Sequence, residues 1–195
     1  LGATLDTLML VFGAIVVVLI VLAVLLVTYY NRLFRFKNAA EAELGQIRVA
    51  MKKRFDMIEE LLGAVKGYTK FEREVFEKVA SLRAQIATAG PANLADIQRE
   101  SASLFGSIRA VAEAYPDLKA SETVKKLMDA IVSLEDEIGR QRYTYNNVVQ
   151  EFNTMCDTIP SNIVAGILGL KKLEYLRFGD EIESAPKVTG IGPDE

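Results

Sequence analysis

The sequence predicts an all-α protein: an N-terminal transmembrane helix followed by a long antiparallel (up-and-down) four-helix bundle. Three observations carry that prediction. Residues 8–27 form a run of twenty with no charged or hydrogen-bonding side chain. Beyond them, apolar residues recur at alternating three- and four-residue steps, the period of a buried helical face. No stretch shows the strict two-residue alternation of a half-buried strand.

Composition averages over two unlike parts. The 195-residue chain is 50% hydrophobic, an ordinary value for a soluble domain. Its mean hydropathy is +0.17; without residues 8–27 it falls to about −0.2 on the same scale. What remains is large enough for one core and too small for two ordinary domains. The expected organisation is a short extracytoplasmic N-terminus (1–7), a transmembrane helix (8–30), a helical bundle (31–178) and a Pro/Gly-containing tail (179–195).

A helix needs about 20 apolar residues to cross a hydrocarbon core of about 30 Å. A cleaved signal peptide would show a basic start, a shorter apolar stretch and a small-residue cleavage site. Before this run the only charge is Asp6, and it is negative. The run therefore reads as an uncleaved anchor. Tyr29 and Tyr30 stand at its far end, where interfacial rings belong, and Arg32, Arg35 and Lys37 follow at once. No Lys or Arg precedes it. The positive-inside rule thus places the N-terminus outside and the bundle in the cytoplasm, on a single-pass protein of the cytoplasmic (plasma) membrane.

The first bundle helix runs on from the anchor. Leu33, Phe36, Ala40, Leu44, Ile47, Met51, Phe55, Ile58, Leu62 and Val65 keep helical spacing, and Gly67 offers a break. A second helix carries Phe71, Val75, Val79, Leu82 and Ile86 and stops before Gly90-Pro91. A third begins at an Asn93 cap, carries Leu94, Ile97, Leu104, Ile108 and Val111, and ends before Tyr115-Pro116. A fourth starts near Ser121. Its seam is Val124, Leu127, Ile131, Leu134, Ile138, Gln141, Tyr145, Val148, Phe152, Met155 and Ile159, the a/d pattern of a coiled coil or bundle helix. Short loops make sequential helices antiparallel, so the fourth returns toward the membrane and ends near the bilayer.

After Pro160, a short helix capped by Ser161 or Asn162 carries Ile163, Val164, Ile167, Leu168 and Leu170, with Lys171 and Lys172 directly behind. Three roles suit it: closing the membrane-proximal end of the bundle, lying in the membrane interface with lysines at the headgroups, or contacting a neighbouring subunit. Asn146 and Asn153 lie seven apart on one face of the fourth helix, near Gln141 and Tyr145. Polar groups on a seam are retained where they are paired, either between helices of one subunit or across subunits. Asn146, Asn153, Ile163, Val164, Ile167 and Leu168 are therefore the candidate subunit or partner contacts. Tyr29, Tyr30, Arg32, Arg35, Lys37, Lys171 and Lys172 are the candidate membrane-interface residues.

The sequence has no His and one Cys, Cys156. That removes the commonest general base and metal ligand, and with it the zinc hydrolases and Ser-His or Cys-His nucleophile systems. No catalytic, cofactor-binding or metal-ligating set is expected. The acidic groups, Glu72 with Glu74 and Glu135-Asp136-Glu137, read as solvated faces, as does the basic Lys52-Lys53-Arg54. Cys156 reads as a small buried hydrophobe. A net charge of −3 gives no drive toward nucleic acid.

The ordered series Tyr30-Asn31-Arg32-Leu33, Arg54-Phe55-Asp56-Met57-Ile58, Val65-Lys66-Gly67-Tyr68, Tyr145-Asn146, Phe152-Asn153-Thr154 and Ile159-Pro160-Ser161-Asn162-Ile163-Val164-Ala165-Gly166 resembles the LemA family of bacterial and archaeal membrane proteins. The resemblance implies an N-terminal anchor, an up-and-down helical bundle of mirror type and no catalytic residues; family members are linked to membrane organisation and signalling. Glu59-Glu60 replace a frequent Pro-Asn, so the first helix should run through unbroken. Phe71 stands where a His often precedes the Glu. The expected function is a non-catalytic scaffold, anchored in the lipid bilayer and self-associating into a homo-oligomer. The alternative is a signalling adaptor that takes a helix of an unidentified protein partner into a groove.

Overall fold

A computed structural model describes residues 2–67 and 73–177. Phe71, Tyr68, Glu72, Phe178 and the tail 179–195 lie outside the described residues. Among the described residues six α-helices follow in order: α1 (Gly2–Val65), α2 (Arg73–Gln85), α3 (Pro91–Ala114), α4 (Pro116–Ala120), α5 (Glu122–Asp157) and α6 (Ser161–Ile167), with a 3-10 turn at Ile86–Thr88 after α2. Among the described residues there is no strand. The protein is all-helical, with a long apolar helix at its N-terminus. Helix α1 passes Glu59 and Glu60 without a break.

The chain divides into two compact units. The larger holds Glu43–Asn146 and continues from Glu174. Its core is one buried stripe from each long helix: Ile47, Met51, Phe55, Ile58 and Leu62 from α1, Val79 and Leu82 from α2, Leu94, Ile97 and Ile108 from α3, and Val124, Ile131, Leu134, Ile138 and Tyr145 from α5. Each such side chain contributes about 1.5–3 kcal/mol by leaving water. Ion pairs at the edges tie α1 to α2 through Asp56 and Arg83, and α2 to α3 through Lys78 and Glu100 at 2.8 Å. The Arg48 guanidinium donates two hydrogen bonds, 3.1 and 2.7 Å, to the Ala89 carbonyl beyond the 3-10 turn.

Local chemistry corrects several helix ends. Helix α3 starts at Pro91 with Gly90 in the cap position, so Asn93 is not the cap. Pro fits the first helical turn, where its missing N–H removes no bond. Pro116 likewise opens the short α4, which buries Leu118 and was not expected from the sequence. Ser121 caps α5, its Oγ accepting the Val124 N–H at 3.4 Å. The α5 stripe also drifts from the expected seam. Val149 is buried where Val148 was expected, and Ile159 lies beyond the helix at 81% exposure. A straight helix repeats at 3.6 residues, so a strict 3.5-residue seam slips around it.

The smaller unit holds the chain to Ala42 together with Asn147–Leu173. Its core is Leu33 of α1, Phe152 and Met155 of α5, and Val164 and Ala165 of α6, with Tyr29, Phe36, Cys156, Leu170 and Leu173 packed around them. The last turns of α5 and all of α6 thus lie beside residues 29–36, just past the apolar run.

Between α5 and α6 the chain reverses through Thr158, whose carbonyl accepts the Ser161 hydroxyl at 2.9 Å and the Asn162 N–H at 2.9 Å. Helix α6 ends in a Schellman motif. The Leu170 N–H reaches the Ala165 carbonyl at 3.0 Å and the Gly169 N–H reaches Gly166 at 3.1 Å. Gly169 sits at φ +62, the left-handed conformation that a side chain disfavours.

Candidate functional site

Beyond the Gly169 turn, residues 171–177 carry no helix or strand. In the smaller unit, Asn153 Oδ1 accepts the Leu173 N–H at 2.8 Å while its Nδ2 donates to the Leu173 carbonyl at 3.0 Å. In the larger unit, Asn146 treats Leu176 the same way, at 2.9 and 3.0 Å, and the Tyr145 hydroxyl donates to the Glu174 carbonyl at 2.8 Å. A primary amide offers one acceptor and a donor pair on a planar group, so it can satisfy both backbone groups of one residue, as a neighbouring strand would.

Asn146 and Asn153 therefore have their amides occupied within their own chain. Burial raises the Tyr145 phenol above its ordinary value; Glu174 adds to the effect and Arg48 opposes it.

The other candidates gather around the end of the apolar run. Residues 8–27 are exposed throughout and belong to a helix long and apolar enough to cross a membrane. At their end the Tyr30 ring lies 4.7 Å from Phe34, Lys37 Nζ stands 6.0 Å over Phe34, and the Arg32 guanidinium 5.8 Å over Phe36. Both cations thus rest on rings directly after the apolar run. Tyr29 is half-buried against the core, while Arg35 is exposed. Lys172 pairs with Asp157 at 2.7 Å, and Lys171 is exposed.

On α6 the candidates part company. Val164 is buried, whereas Ile163 and Ile167 are 58% and 74% exposed. Val164, Ile167 and Leu168 line an apolar groove of about 240 Å³ with Leu26, Val27 and Tyr30.

In the basic cluster Lys52 and Lys53 are exposed as expected, and Arg54 departs from the expectation. Arg54 is not on a solvated face: its side chain is 1% exposed. Its Nη2 meets Glu135 Oε2 at 3.4 Å, and Gln98 Nε2 meets Glu135 Oε1 at 3.4 Å, joining α1, α3 and α5 in the larger unit. Burial lowers the Arg54 value and Glu135 opposes that. The signal was present: Arg54 falls three residues before Met57 and beside Phe55, at the edge of the apolar stripe. Among the described residues no group of three or more metal-ligating side chains converges.

These features define a class: a helical protein whose long apolar N-terminal helix is able to cross a membrane by length and composition, with the end of α5 and α6 packed on the turns that follow the apolar run. The family profile described as LemA family matches residues 43–189. The chain belongs to the LemA family. Among curated relatives it is 28% identical over 155 residues to Protein LemA of Metamycoplasma hominis, covering 78% of this chain and 70% of that one. It is 23% identical over 175 residues to Magnetosome protein MamQ 2 of Paramagnetospirillum magneticum, and 22% over 173 residues to Magnetosome protein MamQ of Magnetospirillum gryphiswaldense. These cover 76% and 75% of this chain, which spans just under two thirds, 64%, of each MamQ protein. None of these names denotes an enzymatic activity.

Proposed function

We propose that this protein is a non-catalytic scaffold, anchored in the cytoplasmic membrane by residues 8–27, whose helical domain self-associates on the cytoplasmic side. The observation that carries the reading is where the chain uses its polar and apolar groups. The amides and hydroxyl of Asn146, Asn153 and Tyr145 hold the chain's own backbone. Meanwhile Val132 and Tyr143 remain 44% and 70% exposed on α5. They are eleven residues apart, three helical turns, and so share one face. On that face they are the apolar points open to a contact between subunits. The names of the MamQ relatives assign those proteins to the magnetosome and denote no reaction, which is compatible with a non-catalytic role here. The cations Arg32, Arg35 and Lys37 directly past the span support a cytoplasmic domain.

The test is mass in mild detergent with the anchor intact. An oligomer that shrinks on Val132→Ser/Tyr143→Ser supports the reading, and a clean monomer overturns it. Protease protection in sealed membranes tests the sidedness.

One observation favours an adaptor as second reading. A groove of about 450 Å³ in the larger unit has Gly45, Ala80 and Ala84 among its lining, with Arg48, Lys52 and Arg83 alongside. Small residues admit a close helix and cations suit an acidic one. A stoichiometric partner captured on a monomeric protein, and released by Lys52→Glu, would favour it over the scaffold.

A further inference from the structure

Helix α6 is apolar on two opposite faces. Ser161, Val164 and Ala165 are buried, the last two in the core with Leu33, Phe152 and Met155. Ile163, Gly166 and Ile167 fall on the other side at helical spacing and are exposed, and Ile159 just before them is the most exposed of this set at 81%. Beyond the polar first two residues, Ser161 and Asn162, the helix carries apolar groups on both faces, which suits a site where water faces neither.

Its depth is fixed by its neighbours. Val164, Ile167 and Leu168 share their groove with Leu26, Val27 and Tyr30, the last turn of the apolar run and its first interfacial ring. Whatever depth Leu26 and Val27 occupy in a bilayer, α6 occupies beside them. The Arg32 and Lys37 cations over Phe36 and Phe34 follow on α1, and exposed Lys171 follows α6. Long basic side chains at such positions keep their stems in the apolar layer and their heads among headgroups.

We propose that α6 lies within the membrane interface, with Ile163 and Ile167 immersed and a phospholipid acyl chain filling the groove between α6 and Leu26–Tyr30. The inference rests on the reading that residues 8–27 cross a bilayer. A second protein copy is the poorer occupant. It would have to displace lipid already present around Leu26 and Val27, and it would have to present an equally apolar surface at headgroup level.

The experiment uses the full chain with Cys156→Ser as background, reconstituted in phosphatidylethanolamine and phosphatidylglycerol vesicles. An environment-sensitive thiol probe is placed singly by Ile163→Cys, Ile167→Cys, Ser103→Cys or Val18→Cys. The Ile positions are exposed, so the fold does not depend on them. Probes at 163 and 167 should shift to the blue, lose emission to lipids with a quencher high on the acyl chain, and resist aqueous iodide. The probe at 103 should behave oppositely, and the one at 18 should respond to quenchers deep in the chain. Lipid carrying a photoreactive acyl chain should label Tyr30 and Leu168.

Iodide quenching at 163 and 167 with Val18 still lipid-quenched overturns this proposal alone. Shielding that disappears on dilution of protein in lipid overturns it in favour of a second copy. Loss of lipid quenching at Val18 overturns the anchor, and this proposal with it.

Discussion

Asn146 holds Leu176 by both backbone groups, its Oδ1 accepting the N–H at 2.9 Å and its Nδ2 donating to the carbonyl at 3.0 Å. Asn153 does the same to Leu173. Replacing either by Ala removes two hydrogen bonds and strands backbone groups, a cost of about 1–3 kcal/mol. Helicity by circular dichroism should persist, while amide exchange at Leu173 or Leu176 accelerates. Asn→Asp should cost as much as Asn→Ala, because an ionised carboxylate accepts the N–H but faces the carbonyl without a donor.

Tyr145 gives stability an alkaline limit. Its folded value is raised above 10.0 by burial, then by Glu174. A raised value means the folded state keeps its proton where the unfolded chain has lost it. The contribution is therefore complete below the unfolded value and disappears as pH rises through the folded one. Tyr145→Phe should cost about 1 kcal/mol at neutral pH and flatten the alkaline arm of a stability–pH curve from denaturant unfolding.

Cys156 should be a slow thiol. Burial raises its value first, Asp157 adds to this, and Lys172 opposes it. Only the thiolate attacks, so modification by a disulfide reagent at neutral pH should lag behind that of the denatured chain. Lys172→Ala removes the opposing cation and should slow the reaction further. Acceleration on that substitution would instead mean that the Lys172–Asp157 pair shields the sulfur.

Arg54 and Glu135 should couple in a double-mutant cycle. Glu135→Ala leaves a guanidinium buried with one partner fewer and should cost about 1–3 kcal/mol, Glu135 itself being partly solvated. Arg54→Met in that background should restore much of the loss, since a buried charge without its partner is worse than an apolar side chain of similar length. Independent, additive losses would show that the 3.4 Å pair contributes nothing.

Local signals made most elements legible. Twenty apolar residues define the span, Gly67 and Gly90-Pro91 punctuate the helices, and Ser121 caps α5 as its chemistry suggests. The membership in a family was legible in short motifs around Asn146, Asn153 and Pro160. What those asparagines hold was not. Their shared face on α5 can be read from a seven-residue spacing, but their partner is the backbone of residues 173 and 176, and backbone groups leave no signature in sequence. Arg54 escaped for a related reason. Its neighbours Lys52 and Lys53 are exposed, and one helical step turns Arg54 into the core. The outer face of α6 was visible as apolar residues, while its place beside Leu26 and Val27 required the fold.

The asparagine contacts also impose an order on the chain. Asn153 and Leu173 are 20 residues apart, and Asn146 and Leu176 are 30 apart, so the second loop encloses the first. Closing the larger loop unaided costs about 0.4 kcal/mol more by chain entropy. A pull or a competing ligand applied beyond Leu176 meets the fastenings one at a time.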